Sequence, residues 1–387
     1  MLGALSGDVI GSAYEHDGPK SKRFEMFHPF ARPTDDSVMT VAVSQALFTG
    51  EGYASGMRRV GNEYPTAGYG SRFYRWLRDP SRGPYQSWSN GSAMRSSPVG
   101  WRFDTEAEVL AQAEAAAVVT HDHPEGIRGA QAVALAVFLA RTGHTKAEIA
   151  RSVAAITGYN LTRKLASIRE TYSFQIRCET SVPEALIAFL ESRNFNDAVR
   201  GAVSLGGDAD TQACIAGAVA EAFYGGVPDE TAKFVLSRMH PWLLELSLPF
   251  LEAYGLPTSA SQLRARWTTV TAALQDRLSF SVRRIPNLSD ALDLSFAGPT
   301  LSRGEENITA ALGAVIGAGW TRLHFDLSRV TILTGSDRQV LEFVYKSCRV
   351  RSGFLAVTGT TEAGPGWEVY ADAEAAITAL RRCREMS

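Results

Sequence analysis

The chain has 387 residues, of which 45% are hydrophobic and 21% are charged, and its formal net charge is −2. This length exceeds one ordinary hydrophobic core and predicts about two globular domains. The near-neutral charge excludes the overall basic footprint of a general nucleic-acid-binding or acidic-membrane-binding protein.

The beginning of the sequence, MLGALSGDVIGSAYE, has neither a basic leader nor a long apolar core, so we expect no signal peptide. The longest apolar stretch, residues 129–140, is far shorter than the ~20 residues that cross a bilayer, and it predicts a buried core helix. No two cysteines form a CxxC motif, which predicts reduced thiols and a cytoplasmic location without membrane association. The cysteines are Cys178, Cys214, Cys348 and Cys383.

Helical spacing of apolar residues dominates the sequence up to about residue 256. Gly50 and the pair Gly225–Gly226 are helix stop signals, and Pro183 is predicted to lie near a helix start, where its missing N–H is harmless. Strand-like alternation is scarce here, which predicts an all-helical domain. The clearest helical stretches are residues 35–50, 104–121, 182–192 and 210–226.

The pattern changes after Pro257, where a linking helix is followed by stretches rich in β-branched and aromatic residues. Strands that alternate with helices predict a small α/β domain. The predicted strands lie in residues 278–285, 322–333 and 353–360, and the predicted helices in 337–349 and 372–383. The predicted organisation is a helical domain over 1–256, a linking helix over 257–276 and an α/β domain over 277–387.

Two aspartates and a threonine, Asp208, Asp210 and Thr211, stand at the start of a predicted helix. Carboxylates and hydroxyls are the oxygen ligands that hard divalent cations prefer. The alternative is an ordinary helix cap, in which Asp210 or Thr211 caps the helix and the helix dipole favours Asp208.

A second cluster of the same kind, Thr34, Asp35 and Asp36, precedes another apolar helix. Capping explains one such cluster more easily than two. Brought together, the two clusters would supply four carboxylates and two hydroxyls, a set that suits a pair of Mg²⁺ or Mn²⁺ ions.

Three further motifs carry candidate site residues. Glu15 follows the glycines of GDVIGSAYE, which also permit plain helix packing. Residues 85–101 are dense in glycine, serine and asparagine, as in loops that aim N–H groups at phosphate, although a simple turn has the same composition. His121 and His123 end a helix, where the dipole alone favours histidine.

Together these motifs resemble the ADP-ribosylglycohydrolase family over residues 1–256. The matching stretches, in order, are GDVIGSAYE, TDDSVMT, AGYGSRF, NGSAMRSSPVGW, THDHPEGIRGAQA, SVPEAL and SLGGDADT. The resemblance implies an all-α orthogonal bundle with two divalent cations, Mg²⁺ or Mn²⁺, in a central cleft.

The resemblance also implies roles for individual residues. Glu15 and Asp35 are the implied catalytic residues. The implied metal ligands are Thr34, Asp35, Asp36, Asp208, Asp210 and Thr211. The implied substrate-binding residues are Gly68, Tyr69, Gly70, Ser87, Trp88, Ser89, Asn90, Gly91, Ser92 and His121. Ser89 departs from the family's usual glycine, which adds a side chain where backbone approaches phosphate.

The expected function is hydrolysis of the glycosidic bond between ADP-ribose and a modified target. Arginine-linked protein is the expected substrate, with serine-linked ADP-ribose or a small ADP-ribosyl conjugate as alternatives. The C-terminal region loosely resembles a STAS (anti-anti-sigma) domain, in its order of strand, Asp-Leu-Ser, turn, helix, strand and final helix. The alternative function is therefore a catalytically weak sensor that binds ADP-ribose or an NAD metabolite and signals through this region. The other expected roles of the region are support, protein–protein contact or self-association.

Overall fold

The computed structural model describes residues 1–16, 18–275, 280–286, 288, 290–298, 312–330, 335–351, 353–360 and 367–385. The chain divides into two compact units. The helical unit consists of Met1–Met239 with Leu243–Arg264, and the C-terminal unit of His240–Trp242 with Ala265–Ser387. None of the helices in the described ranges has the length and apolarity needed to span a membrane.

Helices fill the chain as far as residue 275, as the apolar spacing predicts. The first eight are α1 (Leu2–Gly11), α2 (Asp35–Thr49), α3 (Tyr53–Glu63), α4 (Ser71–Arg78), α5 (Gly91–Met94), α6 (Ser97–Arg102), α7 (Glu106–Val118) and α8 (Pro124–Arg141). The next eight are α9 (Lys146–Thr157), α10 (Leu165–Thr171), α11 (Cys178–Leu190), α12 (Phe195–Val203), α13 (Ala209–Tyr224), α14 (Asp229–Arg238), α15 (Pro241–Tyr254) and α16 (Pro257–Gln275). A short 3₁₀ helix, Ser12–Tyr14, follows α1.

Helices α1 and α13 form the centre of the helical unit. Every residue of α1 is buried, and α13 is buried from Ala209 to Ala222, on all faces and not along one stripe. Their backbones approach closely because small residues face each other across the contact. A Cβ added to Gly7 would lie 1.9 Å from the Ala213 carbonyl oxygen, and one added to Gly3 would lie 2.3 Å from that of Gly217.

Replacement of Gly7 by alanine is expected to lower the free energy of unfolding by about 3 kcal/mol, because the new methyl group forces two buried helices apart. Urea unfolding followed by circular dichroism measures the change. Gly52→Ala is the matched control, since a Cβ at Gly52 meets no atom within 4 Å. Equal stabilities of the two variants would show that α1 and α13 do not pack this tightly.

The helix ends agree with their sequence signals in two cases and differ in a third. Gly50 and Gly225 end α2 and α13 in the left-handed conformation, with φ of 77° and 78°. Pro183, however, lies inside α11 and not near its start. The helix begins earlier because the Cys178 N–H donates to the Trp88 carbonyl oxygen at 3.1 Å, an anchor from a distant loop.

The C-terminal unit contains a five-stranded sheet in the order β1-β2-β3-β4-β5. Strand β1 is antiparallel to β2, and the remaining neighbours are parallel. The strands are β1 (Phe280–Arg284), β2 (Ala291–Gly298), β3 (Arg322–Val330), β4 (Phe354–Thr358) and β5 (Glu368–Val369), and the helices α17 (Gly335–Arg349) and α18 (Ala373–Glu385). The prediction of a mainly helical chain with a small α/β region is therefore confirmed.

Strand β2 was not predicted, because Asp293 interrupts its apolar pattern. In the folded sheet this buried carboxylate contacts His324 Nδ1 at 2.9 Å and accepts from Arg283 at 3.1 Å. These partners offset the cost of burying the charge, which sequence spacing does not register.

Candidate active site

The first acidic cluster lies at the start of α2, where Thr34 is the N-cap. The Thr34 hydroxyl accepts from the Asp36 N–H at 3.3 Å, so the capping interpretation holds for this residue. The cap uses neither the Asp35 nor the Asp36 carboxylate, and Asp36 is buried at 2% exposure.

Asp8, on α1, holds this cluster in place and was not identified from the sequence. Its carboxylate accepts from the Thr34 N–H at 2.9 Å, the Thr34 hydroxyl at 2.6 Å and the Ser37 N–H at 3.0 Å, and also from the Ser37 hydroxyl. The available signal was an acidic residue within a helix that is otherwise apolar and small. Such a residue stays buried only with several donors, which fix the chain around it.

The second cluster lies at the start of α13 and meets the first. Asp208 occupies the N-cap position but makes no side-chain capping bond, so its carboxylate is not used as a cap. It accepts instead from the Asn90 amide at 2.6 Å. The Thr211 hydroxyl donates to Asp36 at 3.2 Å and so joins two clusters that are 175 residues apart.

The carboxylates form two groups with the spacing of metal ligands. Oxygen atoms of Asp8, Asp36 and Asp210 lie within 4.8 Å of one another, as do those of Glu15, Asp208 and Asp210. Like charges at this separation repel strongly unless they are protonated or bind cations.

The electrostatics of the cluster fit a divalent cation. Burial and the charges of Asp8 and Asp208 raise the pKa of Asp35 to about 7. Burial also raises the pKa of Asp208 to about 6, although the Asn90 amide opposes the rise. Asp36 Oδ1 is buried without a hydrogen-bond partner among the described residues. An all-oxygen set with an unpartnered buried atom is the donor set that Mg²⁺ and Mn²⁺ take.

The clusters lie at a cleft of about 440 Å³ in the helical unit. Most of the predicted site residues line it. They are Glu15, Asp35, Asp36, Gly68, Gly70, Ser87, Trp88, Ser89, Asn90, Gly91, His121, Asp208, Asp210 and Thr211. Glu15 follows the 3₁₀ helix, and its side chain is 30% exposed.

Three predicted site residues do not line the cleft. Thr34 is buried behind Asp36, where its hydroxyl lies 3.4 Å from that carboxylate. The Tyr69 hydroxyl donates to the Gly61 carbonyl oxygen at 3.4 Å, and its ring packs against Phe73 with centroids 5.5 Å apart. The Ser92 hydroxyl donates to Gly126 of α8 at 2.7 Å. For Tyr69 and Ser92 these contacts are structural.

The cleft also contains residues that sequence reasoning missed. Arg72 lies over the ring of Tyr85 at 5.9 Å, and both line the cleft. Phe174 and Ile176 line it as well, although they are 49% and 42% exposed. Arg72 lies within the quoted stretch AGYGSRF, where it was not singled out, whereas residues 172–177 carried no motif, so only folding reveals their position.

One wall of the cleft is built from the loop that contains Trp88 and the segment before α11. The Asn90 N–H donates to the Ile176 carbonyl oxygen at 2.8 Å, and Ser89 pairs with Arg177 as an antiparallel bridge. The Arg177 guanidinium lies 4.8 Å from the Trp88 ring centroid. These contacts give the indole a fixed position at the cleft.

Comparison with known proteins agrees with this geometry. A sequence model of the ADP-ribosylglycohydrolase family matches residues 1–260. ADP-ribosylhydrolase ARH3 of Mus musculus is 29% identical over 309 residues, which cover 58% of this chain and 82% of that protein. ADP-ribosylarginine hydrolase Tri1 of Pseudomonas putida (strain GB-1) is 28% identical over 279 residues, 62% of this chain and 74% of that protein.

A solved structure, an ADP-ribosylglycohydrolase-related protein complex, is 22% identical, covers 67% of this chain and 97% of that chain, and has a TM-score of 0.49. The family match alone spans well over half of the sequence and includes both acidic clusters and the cleft. The chain therefore belongs to the ADP-ribosylglycohydrolase family of hydrolases.

Proposed function

We propose that this protein is a binuclear-metal hydrolase that releases ADP-ribose from arginine side chains of modified proteins. The observation that carries the proposal is the meeting of two acidic clusters at one cleft, joined by the Thr211–Asp36 hydrogen bond. Serine-linked ADP-ribose is the second candidate substrate. The arginine linkage is favoured because one relative, Tri1, is an ADP-ribosylarginine hydrolase.

The proposed metal ligands are the six residues of the two clusters, and the proposed ions are Mg²⁺ or Mn²⁺. Thr34 and Thr211 donate their hydroxyl hydrogens to carboxylates, which leaves hydroxyl lone pairs for a cation. When bound, two divalent cations supply Lewis-acid polarisation and orient water and the ribose hydroxyls. The proposed ligands are Thr34, Asp35, Asp36, Asp208, Asp210 and Thr211.

Side chains of the cleft itself supply proton transfer and orientation. Cleavage at the anomeric carbon develops oxocarbenium character, and a carboxylate on each side of such a bond provides acid and base. Glu15 and Asp35 both line the cleft and are the proposed proton-transferring groups. Asn90 fixes Asp208 through its amide, and Trp88 offers a flat apolar face to the ligand.

The test is incubation of the full chain with arginine-, serine- and glutamate-linked ADP-ribosyl peptides, with and without a chelator. We expect fastest release from the arginine-linked peptide and no release in the chelator until Mg²⁺ is restored. Release that is indifferent to the chelator would overturn the proposed metal dependence. Tight ADP-ribose binding without release from any peptide would favour the sensor function instead.

A further inference from the structure

Arg95 is a buried cation in the lining of the cleft. It is 1% exposed, and no carboxylate of the described residues forms an ion pair with it. Its guanidinium donates to the Thr120 hydroxyl at 2.8 Å and to the Ala116 carbonyl oxygen at 3.2 Å. Burial lowers the pKa of Arg95 to about 10, so the charge remains at neutral pH. A buried charge without a counter-ion is costly, which suggests a use in the cleft.

The contacts of Thr120 fix the direction of a hydrogen-bond chain. A guanidinium only donates, so the Thr120 oxygen is an acceptor toward Arg95. Its other partner is His121 Nδ1, at 2.7 Å. If Nδ1 carried the proton, the buried Thr120 hydroxyl hydrogen would have no acceptor among the residues that the structure describes. The Thr120 hydroxyl therefore donates to Nδ1.

The His121 ring continues the hydrogen-bond relay toward the cleft, because it accepts at one nitrogen and donates at the other. Burial and the charge of Arg95 lower the pKa of His121 well below its usual value, so the ring is neutral. With Nδ1 as acceptor, Nε2 carries the hydrogen and donates to the Ser89 hydroxyl oxygen at 3.0 Å. The Ser89 hydroxyl then donates to Ser87, whose oxygen lies at 3.0 Å.

The hydrogen-bond relay ends at the Ser87 hydroxyl, whose hydrogen has no acceptor among the described residues. Among the described residues, the Ser87 oxygen contacts only the Ser89 hydroxyl and the Ser89 N–H, at 3.4 Å. The Ser87 oxygen accepts in both contacts, so its hydroxyl hydrogen is available to a ligand. Ser87 and Ser89 line the cleft, where such a ligand would bind. Hydrogen bonds that all point the same way polarise one another, and here a full positive charge lies at the inner end.

We propose that Arg95 is a positioning residue that, through Thr120 and His121, holds Ser89 and Ser87 as hydrogen-bond donors to a phosphate group of the ligand. The inference rests on the proposed function for its ligand, ADP-ribose, whose pyrophosphate supplies the acceptor. The polarity of the relay, Arg95 to Thr120 to His121 to Ser89 to Ser87, does not depend on that ligand. The Ser89 hydroxyl is the link between His121 and Ser87.

The test is ¹⁵N NMR of the histidine ring nitrogens in the full chain, combined with calorimetry of ADP-ribose and of adenosine, which has no phosphate. Thr120→Val breaks the link to Arg95 with a side chain of equal size, and Ser89→Ala removes the next hydroxyl. Ser96→Ala is the matched control, because the Ser96 hydroxyl donates to the Ala93 carbonyl oxygen within its own turn.

In the wild-type protein we expect a neutral His121 with the hydrogen on Nε2, and in Thr120→Val a shift of population toward Nδ1–H. Thr120→Val and Ser89→Ala are each expected to weaken ADP-ribose binding about tenfold, the effect of a hydrogen bond to a charged group. Adenosine binding, and all properties of Ser96→Ala, are expected to stay the same.

A wild-type His121 that carries its hydrogen on Nδ1 would overturn the relay, and so would unchanged ADP-ribose affinity in Ser89→Ala. Absence of ADP-ribose binding by the wild-type protein would instead overturn the proposed function. The tautomer of His121 would still decide the polarity of the relay in that case.

Discussion

Replacement of Asp210 by asparagine is expected to slow ADP-ribose release about a thousandfold. Asp210 belongs to both groups of closely spaced carboxylates, with Asp8 and Asp36 in one and with Glu15 and Asp208 in the other. Its loss therefore weakens two cation positions at once. Removal of several kcal/mol of metal stabilisation corresponds to a factor of this size. Release from an ADP-ribosyl-arginine peptide at saturating Mg²⁺ measures the effect.

Asp104→Asn is the matched control for this variant, because it makes the same chemical change at a side chain that is 86% exposed. We expect wild-type rates for Asp104→Asn and near-native circular dichroism for both variants. Full turnover by Asp210→Asn would show that the reaction does not use the acidic cluster.

The second large effect is on stability, and it depends on pH. The pKa of Asp35 is about 7 and that of Asp208 about 6, against ~3.9 for an unfolded aspartate. At pH values between the pKa of an unfolded aspartate and these raised pKa values, the metal-free folded protein therefore binds more protons than the unfolded chain. Its stability is expected to rise as the pH falls from about 8 to about 5, the reverse of an ordinary salt-bridged carboxylate.

Mg²⁺ is expected to oppose this trend, because it offsets the same charges without protons. An ion at a hundred times its dissociation constant adds about 2.7 kcal/mol, which raises the melting temperature by about 5 °C or more. The shift is expected at pH 8 and is expected to shrink toward pH 5, where protons compete with the ion. Scanning calorimetry with Mg²⁺ or with a chelator measures it.

The variant Asp36→Asn tests whether the Mg²⁺ shift arises at the acidic cluster. It removes a proposed ligand and is therefore expected to reduce the Mg²⁺ shift at pH 8. Equal Mg²⁺ shifts at pH 5 and pH 8 would contradict the assignment of the cluster as the binding site.

Local chemistry made the two acidic clusters predictable from the sequence. Thr34 caps α2 as its residue type suggests, and Gly50 and Gly225 end their helices in the left-handed conformation. The second threonine differs, because Thr211 donates across the cleft to Asp36 and does not cap α13. Residue type could identify candidate ligands, but it could not tell a cap from a contact between distant helices.

The residues that were missed depend on contacts between distant segments. In the sequence, Asp8 is an isolated acidic residue in an apolar helix. Only the fold shows that its carboxylate accepts from N–H groups at the start of α2. Ile176 lies at the cleft because its carbonyl oxygen accepts from the Asn90 N–H, and Phe174 lies two residues earlier in the same segment. Tyr69 and Ser92 lie in matching motifs, yet their hydroxyls bond to the backbone of neighbouring helices. Motif spacing carries no information about which way such side chains turn.

The most direct test of the binuclear-metal centre is anomalous diffraction from crystals of the full chain grown with Mn²⁺ and ADP-ribose. We expect two anomalous peaks in the cleft, ligated by oxygen atoms of Asp36, Asp208 and Asp210, and loss of at least one peak in Asp210→Asn. ADP-ribose bound in a cleft without any anomalous peak, in crystals of a protein that still hydrolyses its substrate, would contradict the binuclear-metal centre.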